Sequence, residues 1–216
     1  MSDYFNNIKE IKFEGRESDN PLSFKYYNEN QIVLGKSMKE QLRFATCYWH
    51  TFTWPGLDPF GGQTLQRPWM DSGDPLKMAE VKLNAAFDFF TKIKTPYFCF
   101  HDRDIAPEGD NYLTTKKNLE YIIKIMEQKM KETGIQLLWG TANSFSHKRY
   151  MSGASTNPDP EVFAYIAAQV KDCMDATHYL GGQNYVLWGG REGYETILNT
   201  NMKKELDNLA RFLELV

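Results

Sequence analysis

The residues of this chain best suited to chemistry stand at the ends of apolar runs. His101 and Asp104 lie three positions apart in Phe100-His101-Asp102-Arg103-Asp104. Across a tight polar turn, a carboxylate at that spacing can accept a hydrogen bond from the imidazole, fixing its tautomer and raising its basicity. A histidine held this way can move a proton on a substrate hydroxyl. The plainer alternative is a surface turn whose charges solvate a strand exit, and Asp102 with Arg103 reads that way, as a solvated or structural pair.

The second feature is aromatic. Trp49, Trp139 and Trp188 end three of the apolar runs, and Phe145 follows the second of these tryptophans. Aromatic faces pack against the apolar side of sugar rings and keep water from a reacting bond. Large aromatics are also commonly buried, so a hydrophobic plug is the competing reading. Thr141 and Asn143 are either hydrogen-bond donors to a ligand or stabilisers of their own turn. Residues 54–62 form a Gly- and Pro-rich loop too long for a minimal connection, with Phe60 at a turn. An exposed aromatic placed like this can reach a neighbouring subunit. Gly189-Gly190-Arg191-Glu192-Gly193 matches neither glycine fingerprint for phosphate and reads as a tight turn between strand and helix. His50, His147 and His178 lack partners at ligand spacing, which gives each a structural role.

These residues need a scaffold that brings successive strand ends together. Apolar runs predict strands over Phe44 to Phe52, Tyr97 to Phe100, Gln136 to Trp139 and Asn184 to Trp188. Between them, Asp74-Pro75 and Asp159-Pro160 read as helix starts, with Asp as N-cap and Pro in the first turn. Gly134 reads as a helix stop, and a last helix spans about Thr200 to Leu215. Residues 1–41 are polar and irregular and read as an extension, with a short helix around Ser37 to Leu42. Residues 42–216 then follow a βαβαβαβα order, which implies an α/β fold with a parallel sheet and right-handed crossovers. Chemistry at every strand end favours a TIM (β/α)8-barrel, of which about four βα units, half a barrel, are present. An open doubly wound sheet competes, but no Gly-x-Gly-x-x-Gly follows the first strand.

With 216 residues, the chain suits one domain. Its net charge of -3 and scattered lysines offer no stripe for a phosphate backbone, so nucleic acid is not an expected partner. No apolar run approaches the roughly 18 residues that a membrane helix needs. Residues 1–5 lack a basic start and an apolar stretch, which predicts no signal peptide. Cys47, Cys99 and Cys173 form no metal-type pair, and two of them read as small buried hydrophobes. That usage fits a reducing cytoplasm.

Five strings together resemble xylose isomerase: Trp49-His50-Thr51-Phe52, Asp58-Pro59-Phe60-Gly61-Gly62, Phe100 to Asp104, Trp139-Gly140-Thr141-Ala142-Asn143, and Val186 to Gly193. The N-terminal extension looks like that of the larger class of this family. The resemblance implies a (β/α)8 barrel that interconverts D-xylose and D-xylulose, and often D-glucose and D-fructose. It implies ring opening followed by a hydride shift beside two divalent cations (Mg²⁺, Mn²⁺ or Co²⁺), in a cytoplasmic homotetramer. By the same resemblance His101 assists ring opening and Asp104 orients it. Trp49 and Trp188 wall the site, Trp139 and Val186 shape its end, and Phe60 enters a partner's site.

The family's metal-binding carboxylates and one histidine ligand belong to strands five to eight. The expectation is therefore that the ligands lie beyond Val216 and that residues 1–216 bind no metal and are inactive alone. Glu192 is the one acidic residue near the right place, and two hard cations need several oxygen ligands. Two other readings stand beside this one. One is a non-catalytic half-barrel that binds sugar or self-associates. The other is another metal-dependent barrel, such as a sugar-acid or sugar-phosphate isomerase, which the lack of a cationic cluster for a phosphate or carboxylate weakens.

Overall fold

The computed structural model describes residues 4–71, 73–193 and 196–216, without the side chain of Asn199. Residues 1–3, on which the reading of the leader partly rests, lie outside the described residues. A small hairpin comes first, β1 (Ile32–Val33) with β2 (Lys36–Ser37), closed by Leu34 and Gly35 at φ 50° and 80°. Left-handed residues at both turn positions suit a two-residue hairpin. Sequence reasoning did not anticipate this hairpin, although the short helix expected beside it forms as α1 (Met38–Gln41).

The main body runs β3 (Ala45–Cys47), α2 (Pro75–Ile93), β4 (Tyr97–His101), α3 (Asp102–Ile105), α4 (Tyr112–Thr133), β5 (Gln136–Thr141), α5 (Pro160–Tyr179), β6 (Asn184–Tyr185) and α6 (Met202–Leu215). Helix boundaries follow their caps. The Asp74 carboxylate accepts from the backbone N–H of Leu76 and Lys77, and Asp159 accepts from Glu161. Gly134 closes α4 at φ 74°, a conformation that costs glycine little.

The four main strands pair in parallel, in the order β3-β4-β5-β6. Right-handed crossovers between strands in consecutive order put every intervening helix on one face. Accordingly α2 packs on α4, α4 on α5, and α5 on α6. The core fills the space between helices and sheet, with Phe87 and Phe90 of α2 meeting Phe98 of β4 at ring-centroid distances of 5.4 and 5.5 Å. Residues that alternate with Phe98 and Phe100, namely Tyr97, Cys99 and His101, turn to the helix-free face. This α/β sheet is compatible with part of a parallel barrel.

Two strands differ from their sequence expectation. The run Phe44 to Phe52 is a strand only at Ala45–Cys47, after which Trp49–Thr53 wind into a π-helical turn. Tyr48 and Phe52 are one turn apart, both fully buried, with Phe52 packed on Trp69, Phe89 and Phe90. Residues four apart share a face in a strand as in a helix, so the burial of that pair alone gave no sign of the turn. The run Asn184 to Trp188 keeps only two strand residues, although the Val186 N–H still donates to the Gly140 carbonyl at 3.1 Å.

β5 carries an irregularity. Phe98 pairs with Leu137 but Cys99 pairs with Trp139, so Leu138 is an extra residue on its strand. At the N-terminal ends of the strands, the Arg43 guanidinium donates to the Gln183 side chain at 2.6 Å, and the Gln183 amide donates to the Tyr97 hydroxyl at 3.3 Å.

Candidate functional site

β4 delivers His101 to its C-terminal end, and α3 begins at the next residue. The single turn of α3 brings Asp104 back beneath the imidazole, with His101 Nδ1 2.7 Å from Asp104 Oδ2. Both residues are buried. Burial works against the charged ring. The hydrogen bond and negative charge of Asp104, with smaller contributions from Cys47 and Asp102, outweigh it and raise the proton affinity of His101 above its usual level. Because Nδ1 is engaged, Nε2 is the ring nitrogen left for a ligand.

Aromatic rings surround this imidazole. Phe145, Trp188 and Trp139 lie 5.5, 6.1 and 6.3 Å from it between centroids, and Phe145 meets Trp188 edge-on at 4.5 Å. Trp188 is 51% exposed, so the enclosure opens on its side. Trp49 does not share in this cluster: its ring partners are His50 at 4.5 Å and Trp54 at 6.1 Å, within the π-helical turn that displaces it from the strand end.

Thr141 and Asn143 are close by but engaged. The Thr141 hydroxyl donates to the Val186 carbonyl, tying β5 to the segment after β6. The Asn143 side-chain oxygen accepts from the N–H groups of Phe145 and Ser146 at 3.2 and 2.9 Å, an Asx turn that aims Phe145 at His101. Phe60 sits on the tip of its loop at 98% exposure, where the Asp58 carboxylate accepts from its N–H at 2.7 Å. His147 accepts from the Arg149 N–H at 3.1 Å and so caps a short turn.

Asp102 is not solvated; it is 1% exposed. Its carboxylate accepts from the N–H groups of Arg103 and Asn143 at 2.8 and 2.7 Å and from the Gln169 amide at 2.8 Å, with Arg103 Nη1 3.3 Å away. Burial nonetheless raises its pKa. Gln169 also accepts from the Tyr150 hydroxyl at 2.6 Å. This buried polar web fixes the loop after β5 to the turn after β4. Gln169 was visible as a polar residue on the apolar stripe of its helix, whereas the inward turn of Asp102 had no signature in the string Asp-Arg-Asp.

One further group escaped the sequence reading, and a residue it did single out, Glu192, holds a different post. Lys82 of α2 is buried, 3.3 Å from the Thr53 hydroxyl and 5.9 Å from the centre of the Tyr48 ring. Burial depresses its pKa to about 8, against an upward pull from Asp104. Glu192 lies in a cradle of the loop at 154–156. Its carboxylate accepts from the N–H groups of Ala154, Ser155 and Thr156 at 3.0 to 3.1 Å and from the Ser155 and Thr156 hydroxyls at 2.7 Å. Gly153, at φ 94°, lets that loop close, since a Cβ there would meet Thr156 Oγ1 at 2.5 Å.

Among the described residues, no three or more His, Cys, Asp or Glu side chains gather where they could hold a metal ion. Glu192, the acidic candidate, is committed to its loop. The described residues therefore do not fit a dication pair. No helix among them is long and apolar enough to cross a membrane.

Parallel strands in βα order, with a carboxylate-held histidine and aromatic rings at their C-terminal ends, define an α/β protein whose chemistry-bearing side chains gather at its strand ends. The relatives narrow this. No family model matches the chain. Its sequence is 59% identical over 213 residues to "Xylose isomerase" of Rhizobium rhizogenes, covering 99% of this chain and 48% of that protein. It is 60% identical over 213 residues to "Xylose isomerase" of Rhizobium etli, with the same coverage. Identity to "Xylose isomerase" of Photobacterium profundum is 56% over 216 residues, covering 100% of this chain and 49% of that protein. The chain is thus a xylose isomerase homologue, consistent with an N-terminal half, and spans about half the length of the curated relatives it matches.

Proposed function

We propose that this chain supplies the sugar-opening part of an aldose–ketose isomerase acting on D-xylose, and on D-glucose as a second substrate. The observation that carries this reading is the 2.7 Å His101–Asp104 contact inside a ring of Phe145, Trp188 and Trp139. His101, its tautomer held by Asp104, presents Nε2 to the ring oxygen or anomeric hydroxyl and helps move the proton that opens the ring. The three aromatic rings lie along the apolar side of the sugar and exclude water. Val186 shapes the same end of the site, Thr141 braces it, Trp49 adds a wall from the turn after β3, and the exposed Phe60 reaches into a partner subunit's site.

In this reading residues 42–216 are four units of a (β/α)8 barrel, residues 1–41 wrap its outside, and the whole enzyme is a cytoplasmic homotetramer. When bound, a pair of divalent ions (Mg²⁺, Mn²⁺ or Co²⁺) polarises the substrate oxygens for the hydride shift. The described residues offer no ligand set for that pair, so no step above passes through it.

A chimera tests the proposal: residues 1–216 replace the matching portion of the Rhizobium rhizogenes relative, and xylulose formation is measured with Mg²⁺ or Co²⁺. The chimera should turn over xylose, His101→Asn within it should lower kcat about 10²-fold or more, and residues 1–216 alone should give no xylulose. A folded chimera indifferent to His101→Asn would reject the assignment. A second reading, a self-associating half-barrel without catalysis, draws support from the free outer edges of β3 and β6 among the described residues.

A further inference from the structure

Cys47 and Cys99 are register partners on the adjacent parallel strands β3 and β4. Side chains at paired positions leave the same face of a sheet, here the helix-free face that also carries His101 two residues beyond Cys99. Neighbouring strands run about 4.8 Å apart, within the roughly 4.4–6.8 Å between Cα atoms over which a disulfide can close. Both thiols are free. Cys173 stands apart on α5, fully buried on the helix side of the sheet.

The two sulfurs differ in surroundings. Cys47 is half-buried and Cys99 is buried. Cys47 also lies just before Tyr48, the cap of the helical turn Trp49–Thr53, whose first N–H groups point back toward its sulfur. The adjacent Cys99 thiol and, less strongly, the N–H groups of His50 and Trp49 and the charge of His50 outweigh burial and bring the Cys47 thiol down to about 5, while Cys99 Sγ donates to the Thr46 carbonyl at 3.8 Å. The neighbouring Cys47 sulfur and burial push Cys99 up. The Cys47 sulfur is thus the one of the pair that ionises more readily. An accessible thiolate beside a resolving thiol is the arrangement that oxidants select.

We propose that Cys47 and Cys99 form an oxidation-sensitive dithiol that hydrogen peroxide converts into a cross-strand disulfide. The Cys47 thiolate attacks one peroxide oxygen, the O–O bond breaks, and hydroxide leaves, giving a sulfenic acid on Cys47. The Cys99 sulfur then attacks the Cys47 sulfur, the S–O bond breaks, and the departing hydroxyl takes the Cys99 proton and leaves as water. The hydroxide from the first step takes a proton from solvent. Two electrons pass from the sulfurs to one peroxide, which ends as two waters. The bond would pin β3 to β4 beneath His101 and withdraw the thiolate charge that raises the proton affinity of that histidine.

The folded chain is treated with equimolar hydrogen peroxide, alkylated after denaturation, and mapped by mass spectrometry without reduction. A cross-linked Cys47–Cys99 peptide should accumulate while Cys173 stays alkylated, with Cys47 consumed at least about tenfold faster than Cys173. In Cys99→Ser the sulfenic acid on Cys47 should persist and be trapped by dimedone. Consumption of Cys47 no faster than of Cys173 would overturn the proposal, as would a wild-type sulfenic acid that never cross-links. Because the decisive map uses unmodified protein, a variant that fails to fold leaves the test intact.

Discussion

Asp104 decides what His101 can do. A histidine as buried as this one would by itself shed its proton, and the carboxyl 2.7 Å from Nδ1 reverses that tendency. In Asp104→Asn the His101 pKa, followed by NMR of the ring, should fall below the wild-type value, since burial is then weakly opposed. The sign for stability follows. A folded pKa raised above the ordinary 6.5 adds stability that is complete below about pH 6.5 and is lost as pH climbs through the folded value. The stability gap between wild type and Asp104→Asn should therefore narrow as pH rises through that window, and a gap independent of pH would sink the assignment. This pair was legible because three positions span one helical turn. Asp102 was not, because adjacent acidic residues look alike until a helix turns one inward.

At the scale of elements, the Glu192 clamp joins the segment after β6 to the loop before α5. Burial opposes its charge, but hydrogen bonds from Ser155 and Thr156 and the N–H groups of the loop bring its pKa below the ordinary 4.5. Glu192→Gln turns an amide nitrogen toward those donors, and hydrogen bonds to a charged acceptor are worth about 1.5–3 kcal/mol. Urea unfolding at pH 7 should show a loss of about 2 kcal/mol, with a midpoint shift and an unchanged slope. The wild type should lose this advantage only as pH falls below 4.5, through the depressed folded value; an equal loss at pH 7 and pH 3 would contradict the clamp. Helix starts were readable from Asp74-Pro75 and Asp159-Pro160 because caps act locally. The ends of the first and fourth strands were not, since the burial of Tyr48 with Phe52 and the pairing of a sheet edge are decided by distant residues.

For the whole molecule, the order β3-β4-β5-β6 leaves one side of β3 and one side of β6 unpaired among the described residues. Met202, Leu206 and Leu213 of α6 are each more than half exposed. Free strand edges and apolar helix faces recruit other chains. Sedimentation over a concentration series should show the apparent mass of residues 1–216 rising with concentration, and a clean monomer throughout would remove the self-associating reading. Parallel architecture was legible from the alternation of strand and helix. The hairpin at 32–37 was not, because its two-residue strands are too short to carry a period.

The supernumerary Leu138 has a consequence for what lines the cleft. Side chains on a strand alternate sides, so a slip of a single position would exchange every neighbour. Were Cys99 opposite Leu138, the indole of Trp139 would point among the helices and a leucine would border the imidazole. The insertion swaps them, giving the cleft its third flat wall and sparing the greasy layer an oversized ring. The make-up of this cleft thus hangs partly on a backbone miscount, one that no exchange of wall residues alone could reproduce.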